Sequence, residues 1–257
     1  MRPKTPLAVI VRRGPSKVTC TLGWDRRDDS ITVGQWLRAR IYERRSDISA
    51  DGRYLVYFAM NGRWDSESKG AYTAISRAPW LKALQLWPKG DCWQGGGLFT
   101  DKRTFWLNGC HAAPIAQYSS LRQTEKFPGV AHYNAECLGV YFNRLQRDGW
   151  ALKSFSRDQA IFEKSIKGWI LRKYAFASVK HPQGRGVYYD EHELIQVSTG
   201  ESLLYPEWEW AEIDGQRLVW TEAGRLCAAK LDPQGLQQPV VLADLNQMAF
   251  EAIAAPY

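Results

Sequence analysis

Ser46-Asp47-Ile48-Ser49-Ala50-Asp51-Gly52-Arg53-Tyr54-Leu55-Val56-Tyr57-Phe58 is a turn followed by an apolar, aromatic-rich run, and the order returns as Ala211-Glu212-Ile213-Asp214-Gly215-Gln216-Arg217-Leu218-Val219-Trp220-Thr221. Asp-Gly permits the positive φ that tight hairpin turns require, and the run after it suits a strand. Weaker copies occupy Gly97 to Leu107 and Asn143 to Leu152. The aspartates at 51, 101, 148 and 214 stand 50, 47 and 66 residues apart. A spacing of about 50 is that of a four-stranded propeller blade with long loops. The 257 residues then predict an all-β chain, a single β-propeller of about five blades of four-stranded antiparallel sheet spanning 1–257.

Composition agrees with that reading. The chain carries 12 Trp, 12 Tyr and 9 Phe, residues that suit half-buried pleated sheets and fill the wedge between adjacent blades. Further turn signals stand at Asn61-Gly62, Asn108-Gly109, Asp148-Gly149 and Ala223-Gly224. Helical periodicity is tolerated only at Trp80 to Leu86, Ser156 to Ile166 and Leu245 to Ile253. Strands are expected at Gly168 to Phe176 and Gly186 to Val197, with Leu203-Leu204 after the turn at 198–201, so the widest gap leaves room for an enlarged blade.

Ser49-Ala50-Asp51-Gly52-Arg53-Tyr54-Leu55-Val56-Tyr57 resembles the Ser-Pro-Asp-Gly-Lys/Arg turn and strand of TolB-type and related WD-repeat propeller blades, with Ala50 in place of the proline. Ile213 to Trp220 is the second clear copy. The resemblance implies a propeller fold and use in protein binding, and it transfers no catalytic residue.

The net charge is +7, unevenly spread: residues 1–53 carry 12 basic and 6 acidic side chains, residues 205–257 carry 3 and 8. A basic third is a possible nucleic-acid footprint, yet mutual neutralisation of the two ends is the favoured reading. On it, strand 7–11 closes the ring by pairing with the C-terminal blade, which also removes free sheet edges. The run Leu7 to Val11 is too short for a secretory segment or a membrane span, and five scattered cysteines without a C-x-x-C pair indicate neither a disulfide framework nor a zinc ribbon. A cytoplasmic protein without metal or cofactor is expected.

Chemistry candidates are few. Gly95-Gly96-Gly97 lacks the residues of a phosphate-binding loop and is read as the entry of a strand. In Tyr188 to Glu193, alternation puts Asp190 and His192 on one face and Glu191 and Glu193 on the other; the second histidine of a zincin is missing, and a solvated hairpin corner is favoured over a cation site. Cys110, His111 and His132 are the cysteine-nucleophile candidates, with Cys110 read as a small buried apolar group. A glycosidase would use paired carboxylates, for which Asp25, Asp47, Glu136 and Glu209 are the candidates.

The expected function is therefore non-catalytic binding or scaffolding with another protein as partner; a glycoside-hydrolase-like enzyme with paired carboxylates in a central funnel is the alternative. The candidate binding residues are Trp24, Trp36, Arg38, Arg40, Trp64 and Trp93, aromatics and cations able to stack on a partner or a carbohydrate. No nucleic-acid motif accompanies them, and no membrane contact is expected. Tyr54, Tyr57, Phe105, Trp150, Leu218 and Trp220, equivalent positions of the copies, are expected to be buried between blades.

Overall fold

The computed structural model describes residues 5–14, 17–118, 120–133 and 137–257. Its decisive stretch is a hairpin: strand Arg40–Ile48, a turn at 49–53, then strand Tyr54–Met60. The turn explains its own sequence. The Ser49 hydroxyl donates to Asp51 Oδ1 (2.7 Å) and accepts from the Tyr54 amide (3.0 Å), while Gly52 takes φ +77°. The run 54–59 is buried on every residue because its two faces serve different cores, Leu55, Tyr57 and Ala59 in one, Tyr54 and Val56 in the other. A strand buried on both faces reads as a continuous apolar run, and each large side chain sealed this way contributes about 1.5–3 kcal/mol.

The chain is all-β: among the described residues it forms nineteen strands in five sheets, with one α-helix. It divides into two compact units. The first, Met1–Asp148 with Ala249–Tyr257, holds three sheets. Sheet 1 is β1 (Leu7–Arg13), β2 (Thr19–Asp25) and β3 (Ser30–Leu37); sheet 2 is β4 (Arg40–Ile48), β5 (Tyr54–Met60), β6 (Ala71–Arg77) and β7 (Ala83–Pro88). Sheet 3 is β8 (Gly97–Phe99), β9 (Thr104–Leu107) and β10 (Arg122–Gln123), with β10 parallel to β9. Helix α1 (Leu138–Arg147) packs against β4 and β8. Its buried Leu138, Tyr141, Phe142 and Leu145 recur at helical spacing.

The second unit, Gly149–Met248, holds two sheets of antiparallel meanders. Sheet 4 is β11 (Ala151–Phe155), β12 (Gln159–Ile166), β13 (Trp169–Ala177), β14 (Tyr188–Gln196) and β15 (Ser202–Tyr205), five strands in chain order. Sheet 5 is β16 (Trp210–Asp214), β17 (Arg217–Glu222), β18 (Arg225–Asp232) and β19 (Gly235–Asp244). The clear second copy is the β16–β17 hairpin, turning at Gly215.

Several expectations need correction. Strand 7–11, expected to pair with the C-terminal blade, pairs in its own unit with β2, from Leu7 opposite Asp25 to Arg13 opposite Thr19. A local hairpin costs less closure entropy than a distant pairing. Residues 249–257 pack within the first unit through side chains, with Arg38 over the Phe250 ring (4.6 Å), Arg77 over the Tyr257 ring (4.8 Å) and Gln35 Nε2 donating to Ile253 O (2.8 Å). Basic residues near the start of the chain find acidic partners nearby, Arg13 on Glu43 and Arg27 on Asp25. The stretches expected to tolerate helix at 80–86 and 156–166 are largely strand, and the tail at 245–253 holds no helix; the helix lies at 138–147, where the fourth copy was expected to begin as a hairpin. Tyr54, Tyr57, Phe105, Trp150, Leu218 and Trp220 are all buried.

Candidate functional site

Two loops of the first unit present large aromatic rings to solvent. Residues 61–70 join β5 to β6, and residues 89–96 join β7 to β8. They are neighbours because β6 and β7 pair, Tyr72 opposite Pro88, and the Lys89 amide donates to Ala71 O (2.8 Å). In the first loop the Trp64 ring lies on Gly70, where a Cβ would collide with it, and remains 49% exposed. In the second, Trp93 is 63% exposed.

The Trp93 loop is held from beneath. Arg45 is buried, its guanidinium close over the rings of Phe58 (4.8 Å) and Tyr42 (5.1 Å). It donates to Cys92 O (2.8 Å) and to Gln94 O, the carbonyls on either side of Trp93, and its Nε points at Cys137 Sγ (3.0 Å). The Asp91 carboxylate accepts from the Trp93 amide (2.8 Å). Gly96, at φ +76°, lies so close to Arg45 O that no side chain fits, so the glycine run has the structural role expected of it at the entry of β8. Trp93 thus projects from a fixed backbone.

The other candidates are placed differently. Trp24 is buried, with Nε1 donating to Asp29 Oδ1 (3.0 Å), and belongs to the core rather than to a ligand surface. Trp36 and Arg38 come together through Phe250: the Arg12 guanidinium stacks on Trp36 (5.6 Å), Trp36 meets Phe250 (6.1 Å), and Arg38 covers the far ring. This stack holds residues 249–257 down. Arg40 is exposed over Tyr42 (4.8 Å).

The carboxylate candidates are mostly engaged. Asp47 is buried and grips Arg147 at both oxygens (2.6 and 2.9 Å) while accepting from the Phe99 amide (2.8 Å). Burial pushes its carboxyl up, but the Arg147 charge and these hydrogen bonds outweigh it and hold the group below the ordinary range. Asp25 chelates Arg27, Glu209 is exposed, and Glu136 lies outside the described residues. The Cys110 thiol is pushed up by burial and faces Thr73 Oγ1 (3.2 Å); His132 stacks on Phe127 at 4.0 Å.

Asp190 and His192 share a face, as alternation predicts, but in mid-strand and buried rather than at a solvated corner. The residue missed from sequence is Lys173, directly across the ladder from His192. Its Nζ reaches His192 Nε2 (2.9 Å) and Asp190 Oδ2 (3.2 Å), and it lies 5.2 Å from the Trp150 ring centre. Because His192 Nδ1 faces a carbonyl, Trp208 O (3.0 Å), that nitrogen carries the proton and Nε2 accepts from the lysine. Burial, and then the Lys173 charge, hold the imidazole well below its ordinary value, neutral. On the opposite face Arg172 bridges Glu163 (2.6 Å) and Glu193 (3.1 Å).

Among the described residues no group of three His, Cys, Asp or Glu side chains is placed to hold a metal ion, and no helix is long and apolar enough to cross a membrane. No protein-family model and no curated protein matches the chain.

Proposed function

We infer that the protein is a non-catalytic binding module, built as a divergent propeller of about five blades, that grips a partner protein through the loops carrying Trp64 and Trp93. Support for the architecture comes from five sheets in chain order, four of them antiparallel meanders, with two hairpins that share the Asp-Gly turn and the strand after it. The observation that carries the binding reading is Trp93, exposed at the tip of a loop whose flanking carbonyls are tied to buried Arg45. Exposing a tryptophan forgoes burial worth a few kcal/mol, and fixing its backbone removes an entropy cost that binding would otherwise bear. Tryptophans of this kind are the residues on which protein interfaces concentrate their energy.

The test is quantitative affinity capture from the native cell with the wild-type chain and with Trp93→Ala and Trp64→Ala. The expected result is one discrete partner, enriched by the wild type and depleted at least about tenfold by Trp93→Ala at an unchanged melting temperature. Equal recovery by both chains would exclude these loops as the contact surface.

A further inference from the structure

The strands of sheets 2 and 3 have two ends of different character. Loops 61–70 and 89–96, with Trp64 and Trp93, lie at one end, and the turns at 49–53, 78–82 and 100–103 lie at the other. Backbone bonds tie this second end together. The Ala50 amide donates to Asp101 O (3.2 Å), the Ala78 amide to Arg53 O (2.8 Å) and the Arg122 amide, at the start of β10, to Arg103 O (2.9 Å). Six cations gather there, Arg53, Arg77, Lys82, Lys102, Arg103 and Arg122, and all six are exposed.

Little opposes them. The turns carry two acidic side chains, and both serve the backbone: Asp51 Oδ1 accepts from the Arg53 amide (3.2 Å), and Asp101 Oδ1 from the amides of Arg103 and Thr104 (2.7 Å each). Arg53 stands 3.8 Å from Asp51 with most of its side chain in solvent, and the Arg122 charge reaches Asp101. Among the described residues Arg77, Lys102, Arg103 and Arg122 form no ion pair with a carboxylate. Like charges gathered this way raise the local potential and attract polyanions.

The kind of cation and the rings beside it narrow the partner. Four of the six are arginines, whose planar forks match a phosphate at two oxygens. The charges of Arg77 and Arg103 both reach the Tyr118 phenol. Arg77 also covers the Tyr257 ring (4.8 Å), and Lys82 donates to Tyr257 O. Both rings are partly exposed. Cations interleaved with rings are what single strands use, their phosphates tracked by charge and their bases free to stack. A duplex keeps its base faces covered, and an acidic peptide has no use for the rings.

We propose that this end of the first unit binds single-stranded nucleic acid, with the cations along its phosphates and the tyrosine rings against unpaired bases. No bond is made or broken. The surface lies at the opposite end of the strands from Trp64 and Trp93, so either reading can fail without the other.

The experiment is fluorescence anisotropy on the full chain with labelled twenty-nucleotide oligouridylate and oligothymidylate, and with a duplex and a polyglutamate peptide of the same length. At least one single strand is expected to bind, with an affinity that falls as salt rises, by a log–log slope of about −0.7 for each phosphate neutralised and so about −4 for six. Lys102→Gln/Arg103→Gln/Arg122→Gln changes exposed side chains only, and should keep the melting temperature within a few degrees. It is expected to weaken the strand at least about tenfold at about 0.1 M salt and to flatten the slope by about 2. Arg157→Gln/Lys180→Gln/Lys230→Gln removes the same charge from exposed positions of the second unit and should change affinity by less than about threefold. Trp93→Ala should bind the strand as the wild type does. The proposal is overturned if neither single strand binds, if the duplex or polyglutamate binds more tightly than both, or if the two triple variants lose equally.

Discussion

Lys173 and Gln85 are both long polar side chains sealed inside sheet packing, and they differ in whether their neighbours answer them. Lys173 meets a carboxylate, an imidazole and an indole ring, and the imidazole is itself fixed by a backbone carbonyl. Gln85 is answered at one end only. The lysine cluster holds the residue types of a catalytic site, yet its groups are committed to one another. The glutamine belongs to no catalytic vocabulary, and its Oε1 is a sealed acceptor left unanswered. What a buried polar group costs is decided by its partners rather than by its chemical type.

The sharpest way to break this contrast is to remove the lysine. Lys173→Met leaves Asp190 buried without its cation and is expected to cost about 3–5 kcal/mol, read as a lower denaturant midpoint. Adding Asp190→Asn should recover a substantial part, since the penalty lies mainly in the uncompensated charge. If Lys173→Met unfolded within about 1 kcal/mol of the wild type, the cluster would not be closed and its chemistry would need another account.

A smaller effect follows from His192. Its folded value lies well below that of an unfolded histidine, near 6.5, so below that pH the unfolded chain takes up a proton that the native chain refuses. Stability from this group is present above about 6.5 and is lost as the pH falls. Between about pH 7 and pH 5.5 the loss amounts to about 1 kcal/mol. Lys173 and Asp190 face the ring, and the Asp47 carboxyl, held below its ordinary range, loses stability with the same sign as the pH falls. His192→Gln should therefore reduce, and not abolish, the acid sensitivity measured by denaturant unfolding at the two pH values. Equal acid sensitivity in both chains would mean that the imidazole titrates freely.

How much of this was legible in the sequence follows from the range of the forces involved. Ser49, Asp51, Gly52 and Tyr54 determine one another within six residues, so the turn and the strand after it could be read directly. The glycine run at 95–97 could be read as a strand entry, but the group that admits no side chain at Gly96, Arg45 O, lies 51 positions earlier and gave no signal. Parity along one strand placed Asp190 with His192, but Lys173 lies across a ladder whose register tertiary packing sets. Helix α1 went unread because Val140, Tyr141 and Phe142 suit a strand equally well until β4 and β8 are present to bury them. Trp24 and Trp93 look alike as letters; one lies within β2, the other on a loop tethered by Arg45 from 48 positions earlier. Gln85 carried no signal, since its distinction is a missing partner.

Replacing Gln85 by Met separates the two regions at small energies. The variant gives up the bond to Tyr118 O and also removes the unanswered acceptor, so the terms oppose and the net change in stability is expected to stay within about 1 kcal/mol of zero. Calorimetric melting of the variant beside the wild type checks it. A loss of 3 kcal/mol or more, comparable with that at Lys173, would show that Oε1 has a structural partner and would dissolve the contrast.

The smallest stability change is expected at Trp93. With 63% of its surface in solvent, the ring contributes little packing, and Trp93→Ala should shift the unfolding free energy by no more than about 0.5 kcal/mol. Arg45→Met is its counterpart. That variant keeps the indole, releases the carbonyls of Cys92 and Gln94 and empties the place beside Tyr42 and Phe58, so it should destabilise the protein and loosen the loop together. Partner binding should fall in both, with the fold unharmed in the first and weakened in the second. Hydrogen exchange of the Trp93 amide, bonded to Asp91, and the Gly95 amide, bonded to Asn108 O, distinguishes them, remaining slow in Trp93→Ala and rising in Arg45→Met. If exchange stayed slow in Arg45→Met, the loop would be held by something other than that guanidinium, and the preorganisation assigned to Trp93 would lose its cause.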